Sequence, residues 1–204
     1  MVNGTSEFVN QLAIAITTVV FNRSALLFAG EDGVASVSII MYLQFLCIGI
    51  YFGFSMGLST PLGYAYGDRN FSVCRVLEKY AYRFFAIAPI ILYGCTYLLA
   101  PIGVRFFTDS GSTVFDMAVS GMRLYGLGFL FSGINIFAAI RMMTYGKGYI
   151  SGIITFLRSF ALLLLFLTVL PRFLELNGIW LAVPAAEILT LVVALWTLRK
   201  KTVA

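Results

Sequence analysis

The sequence predicts an all-α membrane protein, a bundle of six transmembrane helices, and two observations carry this prediction. Of its 204 residues, 60% are hydrophobic and only 11% are charged, and the mean hydropathy is +0.94. That is more apolar surface than one soluble domain of this size could bury. The second observation is a series of six apolar stretches. Each is long enough to cross a bilayer core of about 30 Å as a helix of roughly 20 residues.

The six predicted spans are separated by short polar connectors and form a single transmembrane domain over residues 1–204. They comprise residues 5–27, 34–62, 82–104, 115–140, 149–170 and 178–198. An even number of spans places both termini on one side of the membrane. We therefore expect a multi-pass protein whose first, third and fifth connectors lie opposite its termini.

The distribution of basic residues predicts which side is cytoplasmic. Ten of the 14 Lys and Arg residues fall at the end of the bundle that carries the termini: Arg69, Arg75, Lys79, Arg83, Arg141, Lys147, Arg158, Arg199, Lys200 and Lys201. The other end has only four: Arg23, Arg105, Arg123 and Arg172. The positive-inside rule thus predicts a plasma-membrane or inner-membrane protein with both termini in the cytoplasm.

Several function classes are excluded by what the sequence lacks. It contains no His, so His-based catalysis and His-ligated metals are excluded. Cys47, Cys74 and Cys95 have no CxxC spacing, and "YGKGY" lacks the glycine spacing and the Ser or Thr of a nucleotide-binding loop. The net charge of +5 is not gathered into a stripe that could bind nucleic acid. We therefore expect no enzyme, no catalytic residue, no metal, no cofactor and no nucleic-acid partner.

Glycines in the second span predict close helix packing. Gly49, Gly53 and Gly57 in "GIYFGFSMG" recur every four residues and form one smooth stripe. Such a stripe allows a neighbouring backbone to approach closely. The alternative is that glycine is generic filler in a membrane helix.

Ionisable residues inside apolar spans are costly and are usually either paired or functional. Glu7 lies at the start of the first span, where it is either an acid stabilised by the helix dipole or a functional group. Arg158 and Glu187 lie in the fifth and sixth spans, at depths that differ by about 6 Å when counted from the connecting turn. Because an arginine side chain can cover that distance, we predict a structural ion pair between them rather than a substrate site.

Four segments of the chain resemble the C-terminal lobe of multidrug and toxic compound extrusion transporters, the MATE family. They are "NGTSEFVNQLAIAITTVVFN", "STPLGYAYGDRN", "YGKGYISGIITFLR" and "LNGIWLAVPAAEILTLVV". Such transporters have twelve helices in two lobes, so the resemblance implies that this chain is one six-helix lobe. It also implies a secondary-active efflux transporter that exchanges Na⁺ or H⁺ for amphipathic or cationic small molecules by alternating access.

The resemblance assigns a coupling role to two positions. In cation-coupled members an acid in the first helix of this lobe helps to bind the coupling ion, and Glu7 falls there. The partner acid that these members carry in the fourth helix has no counterpart, since "FSGINIF" offers only Asn135. The expected coupling residues are therefore Glu7 and Asn135, and the missing acid leaves open whether this lobe or the other one couples the ion.

A promiscuous site for lipophilic cations requires aromatic faces and soft methionine side chains. The candidates that could supply such a cavity are Phe8, Gln11, Met41, Tyr42, Phe45, Phe129 and Phe137. For each of the apolar candidates, the alternative is a side chain that only packs helices or faces lipid.

Two other functions remain open at this stage. A flippase for lipid-linked precursors, from the same superfamily, would use the same lobe with a more cationic cavity. A non-transporting scaffold or a truncated fragment would need no coupling acid. For a transporter, the expected partners are the bilayer and either the missing N-terminal lobe or a second copy of this chain.

Overall fold

The computed structural model describes the backbone of residues 2–199 and, within that range, the side chains of residues 12–13 and 15–198. The described chain is helical apart from short connectors. Its α-helices are α1 Val2–Gly67, α2 Phe71–Arg105, α3 Thr113–Tyr125, α4 Phe129–Thr144, α5 Gly148–Phe156, α6 Leu162–Val169 and α7 Pro171–Arg199. A 3-10 turn, Gly126–Gly128, joins α3 to α4, and a π turn, Leu157–Ala161, joins α5 to α6.

The first helix is too long to cross a bilayer once, because its 66 residues would extend about 99 Å at 1.5 Å per residue. It is broken at Gly30, whose φ of 61° and ψ of −151° lie outside the helical region. A positive φ costs glycine little, since it has no Cβ to collide with the backbone. The break divides α1 into two membrane-crossing segments.

Five stretches of the described chain are long and apolar enough to cross a membrane. They are Ala15–Gly67, Phe71–Arg105, Thr113–Thr144, Gly148–Val169 and Pro171–Leu198. The first of them contains the break at Gly30, which agrees approximately with the six predicted spans; that each of the six crosses the membrane stays a prediction.

The second helix is longer than its predicted span, which began at residue 82. It starts at Phe71, where the side chain of Asn70 caps it by accepting a hydrogen bond from the backbone N–H of Val73. Its first three turns contain Arg75, Glu78 and Lys79. These charged residues lower the local hydropathy, so hydropathy alone does not predict this part of the helix.

An aromatic core joins α1, α2 and α4. The rings of Phe54 and Phe84 stack at 3.8 Å, and Phe85 meets Phe54 edge-on at 5.6 Å and Phe137 at 5.4 Å. Gly133 on α4 makes room for this cluster, since a Cβ there would lie 2.8 Å from a carbon of the Phe85 ring. The fourth membrane segment, α3 with α4, is therefore packed at the centre of the bundle, where α4 contacts α1, α2, α5 and α7.

The predicted packing role of Gly49, Gly53 and Gly57 is not fulfilled within the described chain. All three are exposed, and a Cβ built on any of them meets nothing within 4 Å. The close approaches occur at other glycines, such as Gly121, where a Cβ would lie 2.7 Å from Ile40. A regular spacing of glycines marks a smooth helix face, but it does not identify the neighbour that would cover that face.

This contrast gives a testable expectation for two glycine-to-alanine substitutions. Gly121→Ala should lower the free energy of unfolding by about 1 to 3 kcal/mol, because its Cβ would also lie 2.8 Å from the buried Trp180 ring. Gly53→Ala, with open space around it, should be neutral or slightly stabilising. Thermal unfolding in detergent measures both. Equal losses at the two positions would contradict this packing.

Candidate functional site

The predicted Arg158–Glu187 ion pair is present in the structure as part of a buried network of three residues. Nε and Nη2 of Arg158 donate to Oε1 of Glu187 at 3.1 and 2.6 Å. The amide nitrogen of Asn135 donates to Oε2 of the same carboxylate at 2.6 Å and to the backbone carbonyl of Glu187 at 2.9 Å. Both carboxylate oxygens are thus engaged, and the charge of Glu187 is balanced within the lobe.

This network ties three helical segments together, because Asn135 lies on α4, Arg158 on the π turn and Glu187 on α7. The side chains of Arg158 and Glu187 are 14% and 5% exposed. The side-chain oxygen of Asn135, Oδ1, is buried and has no hydrogen-bond partner among the described residues. Asn135, one of the two expected coupling residues, is fully buried between helices of the same lobe, and its coupling role stays a prediction.

The π turn helps to position Arg158. A π turn widens the helix by one residue, and such turns occur frequently at functional sites. The hydroxyl of Thr17, on the first half of α1, donates to the carbonyl of Ala13 at 2.8 Å and lies 3.4 Å from the backbone carbonyl of Ser159 in this turn. The irregular backbone is therefore contacted by a neighbouring helix beside the ion pair.

A second buried ion pair, which the sequence analysis did not predict, joins α2 to α4. The guanidinium of Arg141 donates through Nε to Oε1 of Glu78, and the hydroxyl of Tyr145 donates to the same oxygen at 2.7 Å. Arg141 is only 3% exposed, and its Nη1 is buried without a partner. The ring of Tyr66 packs on that of Tyr145 at 4.4 Å, which brings the end of α1 into the cluster.

Both pairs are suited to holding helices together rather than to catalysis. The carboxylates of Glu187 and Glu78 each accept hydrogen bonds from the guanidinium of an arginine. Among the described residues, no group of three or more His, Cys, Asp or Glu side chains converges as a metal site would require. A buried pair of this kind contributes specificity and resists separation of its helices, because a single unpaired charge is costly in an apolar interior.

The predicted aromatic candidates divide into two groups. Phe129 and Phe137 are 1% and 2% exposed and belong to the core, so they do not line an open cavity. Tyr42 and Phe45 are 66% and 77% exposed on the second half of α1, and Met41 beside them is half-buried. These three lie on the helix that also presents the glycine stripe.

Three further candidates lie outside the described side chains. Glu7, Phe8 and Gln11 belong to the first turns of α1, where only the backbone is described.

The family model described as MatE matches residues 8–170 of the chain. No curated protein is similar enough to this chain to be matched. Among solved structures, an inward-facing multidrug resistance MATE family transporter of the MOP superfamily superimposes with a TM-score of 0.86 at 22% identity, covering 95% of this chain and 45% of that one. Its outward-facing counterpart gives 0.84 at 23% identity, covering 95% and 44%.

A MOP superfamily transporter from Pyrococcus furiosus, whose reversed binding-pocket polarity was taken to suggest a different function, also matches. Its TM-score is 0.84 at 23% identity, and the match covers 95% of this chain and 44% of that one. The chain thus spans less than half the length of each of these structures. At this level of identity, the structural likeness establishes the fold alone.

Proposed function

The chain belongs to the MatE family of membrane transporters, and on that premise we propose that it is the C-terminal half of a secondary-active multidrug efflux transporter. In this proposal the lobe exchanges Na⁺ or H⁺ for amphipathic or cationic small molecules. The chemistry is movement across a membrane, with no bond made or broken and no cofactor beyond the coupling ion.

One observation carries the proposal. The lobe fold superimposes on an outward-facing and on an inward-facing transporter equally well, with TM-scores of 0.84 and 0.86. A fold that matches both states suits a lobe that moves as a rigid body, as alternating access requires. The two buried ion pairs support this reading, because they fasten α4 to α2 and to α7 within the lobe.

We further propose that the exposed face of the second half of α1 meets the other lobe. This face carries Gly49, Gly53 and Gly57, and it has no cover within the described chain. Small residues at this spacing suit a close helix contact in a membrane. The partner in this proposal is the missing N-terminal lobe or a second copy of the chain.

The binding surface in this proposal combines aromatic and polar groups near that contact. Tyr42 and Phe45 present large exposed rings, which could hold lipophilic cations through cation–π contacts of about 0.5 to 2 kcal/mol. Glu7 is the proposed coupling acid, and Phe8 and Gln11 near it are proposed cavity residues. Asn135 contributes to coupling only indirectly here, through its bond to Glu187.

The test is reconstitution of these 204 residues in the membrane of proteoliposomes, alone and together with a separately expressed N-terminal lobe. We expect gradient-driven dye flux only when a second lobe or a second copy is bound, because alternating access needs two bundles. In the active assembly, Glu7→Gln should abolish or strongly reduce flux, since the amide cannot release a proton or balance a cation. Oligomeric mass is measured in parallel, and both termini are expected on the cytoplasmic side.

Two outcomes would contradict the proposal. A strictly monomeric chain that drives dye movement would refute the half-transporter assignment. Unchanged flux in the Glu7→Gln variant would refute the role of that acid. Lipid flipping without dye flux would instead favour the flippase, and neither activity would favour a scaffold.

A further inference from the structure

An apolar groove runs along the outside of the bundle between the second half of α1 and the last half of α2. Its volume is about 310 Å³, and its lining includes Leu46, Cys47, Cys95, Leu99, Gly103 and Met122. The groove extends along α2 from Leu92 to Phe106, about 21 Å at 1.5 Å per residue. That length is comparable to one leaflet with its headgroup region, about 20 to 22 Å in a bilayer about 40 to 45 Å thick.

The groove offers a ligand almost nothing to hydrogen-bond along its length. The hydroxyl of Thr96, the one hydroxyl group of the lining, lies 3.8 Å from the thiol of Cys47, and either of the two could be the hydrogen-bond donor. Met122 forms a buried part of the lining and is 2% exposed. An occupant of this groove must therefore be largely apolar.

The end of the groove at the start of the connector between α2 and α3 has the character of a membrane interface. Phe106 is 85% exposed there, and Phe107 stacks on Tyr42 at 6.0 Å. Aromatic rings of this kind are enriched at the level of the lipid head groups. The hydrocarbon part of an occupant would lie below them and its polar part beside them.

Arg105 places a positive charge at the same end of the groove. Arg105, in the last turn of α2, is exposed, and its Nε donates to the hydroxyl of Ser110 at 2.8 Å. It forms no ion pair with any described acid, although Asp109 lies in the same connector. A guanidinium with its outer nitrogens available binds a phosphate through charge-assisted hydrogen bonds.

We propose that this groove is a binding site for an anionic phospholipid, with one acyl chain between α1 and α2 and the phosphate at Arg105. The site borders the exposed α1 face assigned to the second lobe, and Tyr42 belongs to both surfaces. The proposal does not depend on transport, and it commits to a membrane lipid rather than to a drug or to another protein.

Cys95 provides a probe inside the groove, because it lines the groove and its thiol is exposed. It lies about 15 Å along α2 from Arg105, near the middle of an acyl chain whose phosphate sits at that arginine. The experiment attaches bimane to Cys95 in a Cys47→Ala, Cys74→Ala background and places the chain in nanodiscs. Brominated phosphatidylglycerol and brominated phosphatidylcholine with the same acyl chains then serve as quenchers at low mole fraction.

We expect phosphatidylglycerol to quench bimane at Cys95 with an apparent affinity about fivefold higher than phosphatidylcholine. Arg105→Gln should abolish that preference, whereas Arg172→Gln, which removes an exposed arginine at another connector of the same end, should preserve it.

Equal quenching by the two lipids at Cys95, or a preference that survives Arg105→Gln, would overturn the proposal. Displacement of the brominated lipid by a lipophilic cation such as tetraphenylphosphonium would also overturn it, by showing that the groove holds a drug-like ligand. Should the cysteine replacements impair folding, native mass spectrometry of the unmodified chain provides a second measurement. It should show retained phosphatidylglycerol that Arg105→Gln removes and Arg172→Gln does not.

Discussion

Arg158→Ala should lower the free energy of unfolding by about 3 to 5 kcal/mol, because it leaves the carboxylate of Glu187 charged and unpaired in the interior. That side chain is 5% exposed, so water cannot replace the lost guanidinium. Glu187→Ala should cost less. The side chain that it strands, Arg158, is 14% exposed and long enough to move its charge toward a more polar region. Thermal or denaturant unfolding in detergent micelles measures both variants.

The control for this prediction is Arg172→Ala, which removes an exposed arginine and should change stability by less than about 0.5 kcal/mol. The exchange of Arg158→Glu with Glu187→Arg should recover part of the loss, provided that the amide of Asn135 can turn its oxygen toward the new guanidinium. A double variant no more stable than the worse single one would show that pairing is not the reason for the losses.

The second large effect is expected at Glu78 and Arg141. Glu78→Ala should be the more damaging single change, at about 3 to 5 kcal/mol, because it leaves a guanidinium that is 3% exposed without the one ionic partner it has among the described residues. Arg141→Ala should cost less, since the hydroxyl of Tyr145 still donates to the Glu78 carboxylate at 2.7 Å. The measurement is again unfolding in detergent, with both single variants and the double variant compared in one cycle.

Replacing both partners by apolar residues, as in Glu78→Leu with Arg141→Met, should cost less than Glu78→Ala alone. A well-packed apolar pair avoids the burial of an unpaired charge, although the Tyr145 hydroxyl then loses its acceptor. If Glu78→Ala lost under about 1 kcal/mol, the cluster would be accessible to water rather than buried.

The Arg158–Glu187 pair could be predicted from the sequence, whereas the Arg141–Glu78 pair could not, and the difference has a physical reason. Arg158 and Glu187 stand alone in long apolar runs, so each is conspicuous, and the turn between them fixes their relative depth. Glu78 lies among Arg75, Lys79 and Arg83, and such a mixture of charges is also typical of a solvated connector. Only the three-dimensional packing of α2 against α4 shows which of these charges turns inward.

The sequence was less informative about which side of each helix faces the interior. Phe129 and Phe137 were candidates for an open cavity, with helix packing as the alternative, and both are buried within the lobe. In a membrane protein, both lipid-facing and core-facing positions are apolar, so hydrophobic periodicity does not separate them. The glycine stripe of α1 has no neighbour within the described chain, and its packing role stays a prediction, since its spacing describes one helix and not its neighbour.

The position of the two ion pairs along the chain has a consequence for membrane insertion during synthesis. Arg141 emerges from the ribosome after Glu78, so its partner is already made when α4 enters the bilayer. Asn135 and Arg158, in contrast, are synthesised before their partner Glu187 on α7. An arginine near the centre of a membrane helix raises the free energy of insertion by roughly 2.5 to 3.5 kcal/mol. A chain released before α7 is complete would therefore retain an unpaired arginine in its fifth membrane segment. Such a product would be a natural target for membrane quality control, and assembly of this lobe is complete only with its final helix.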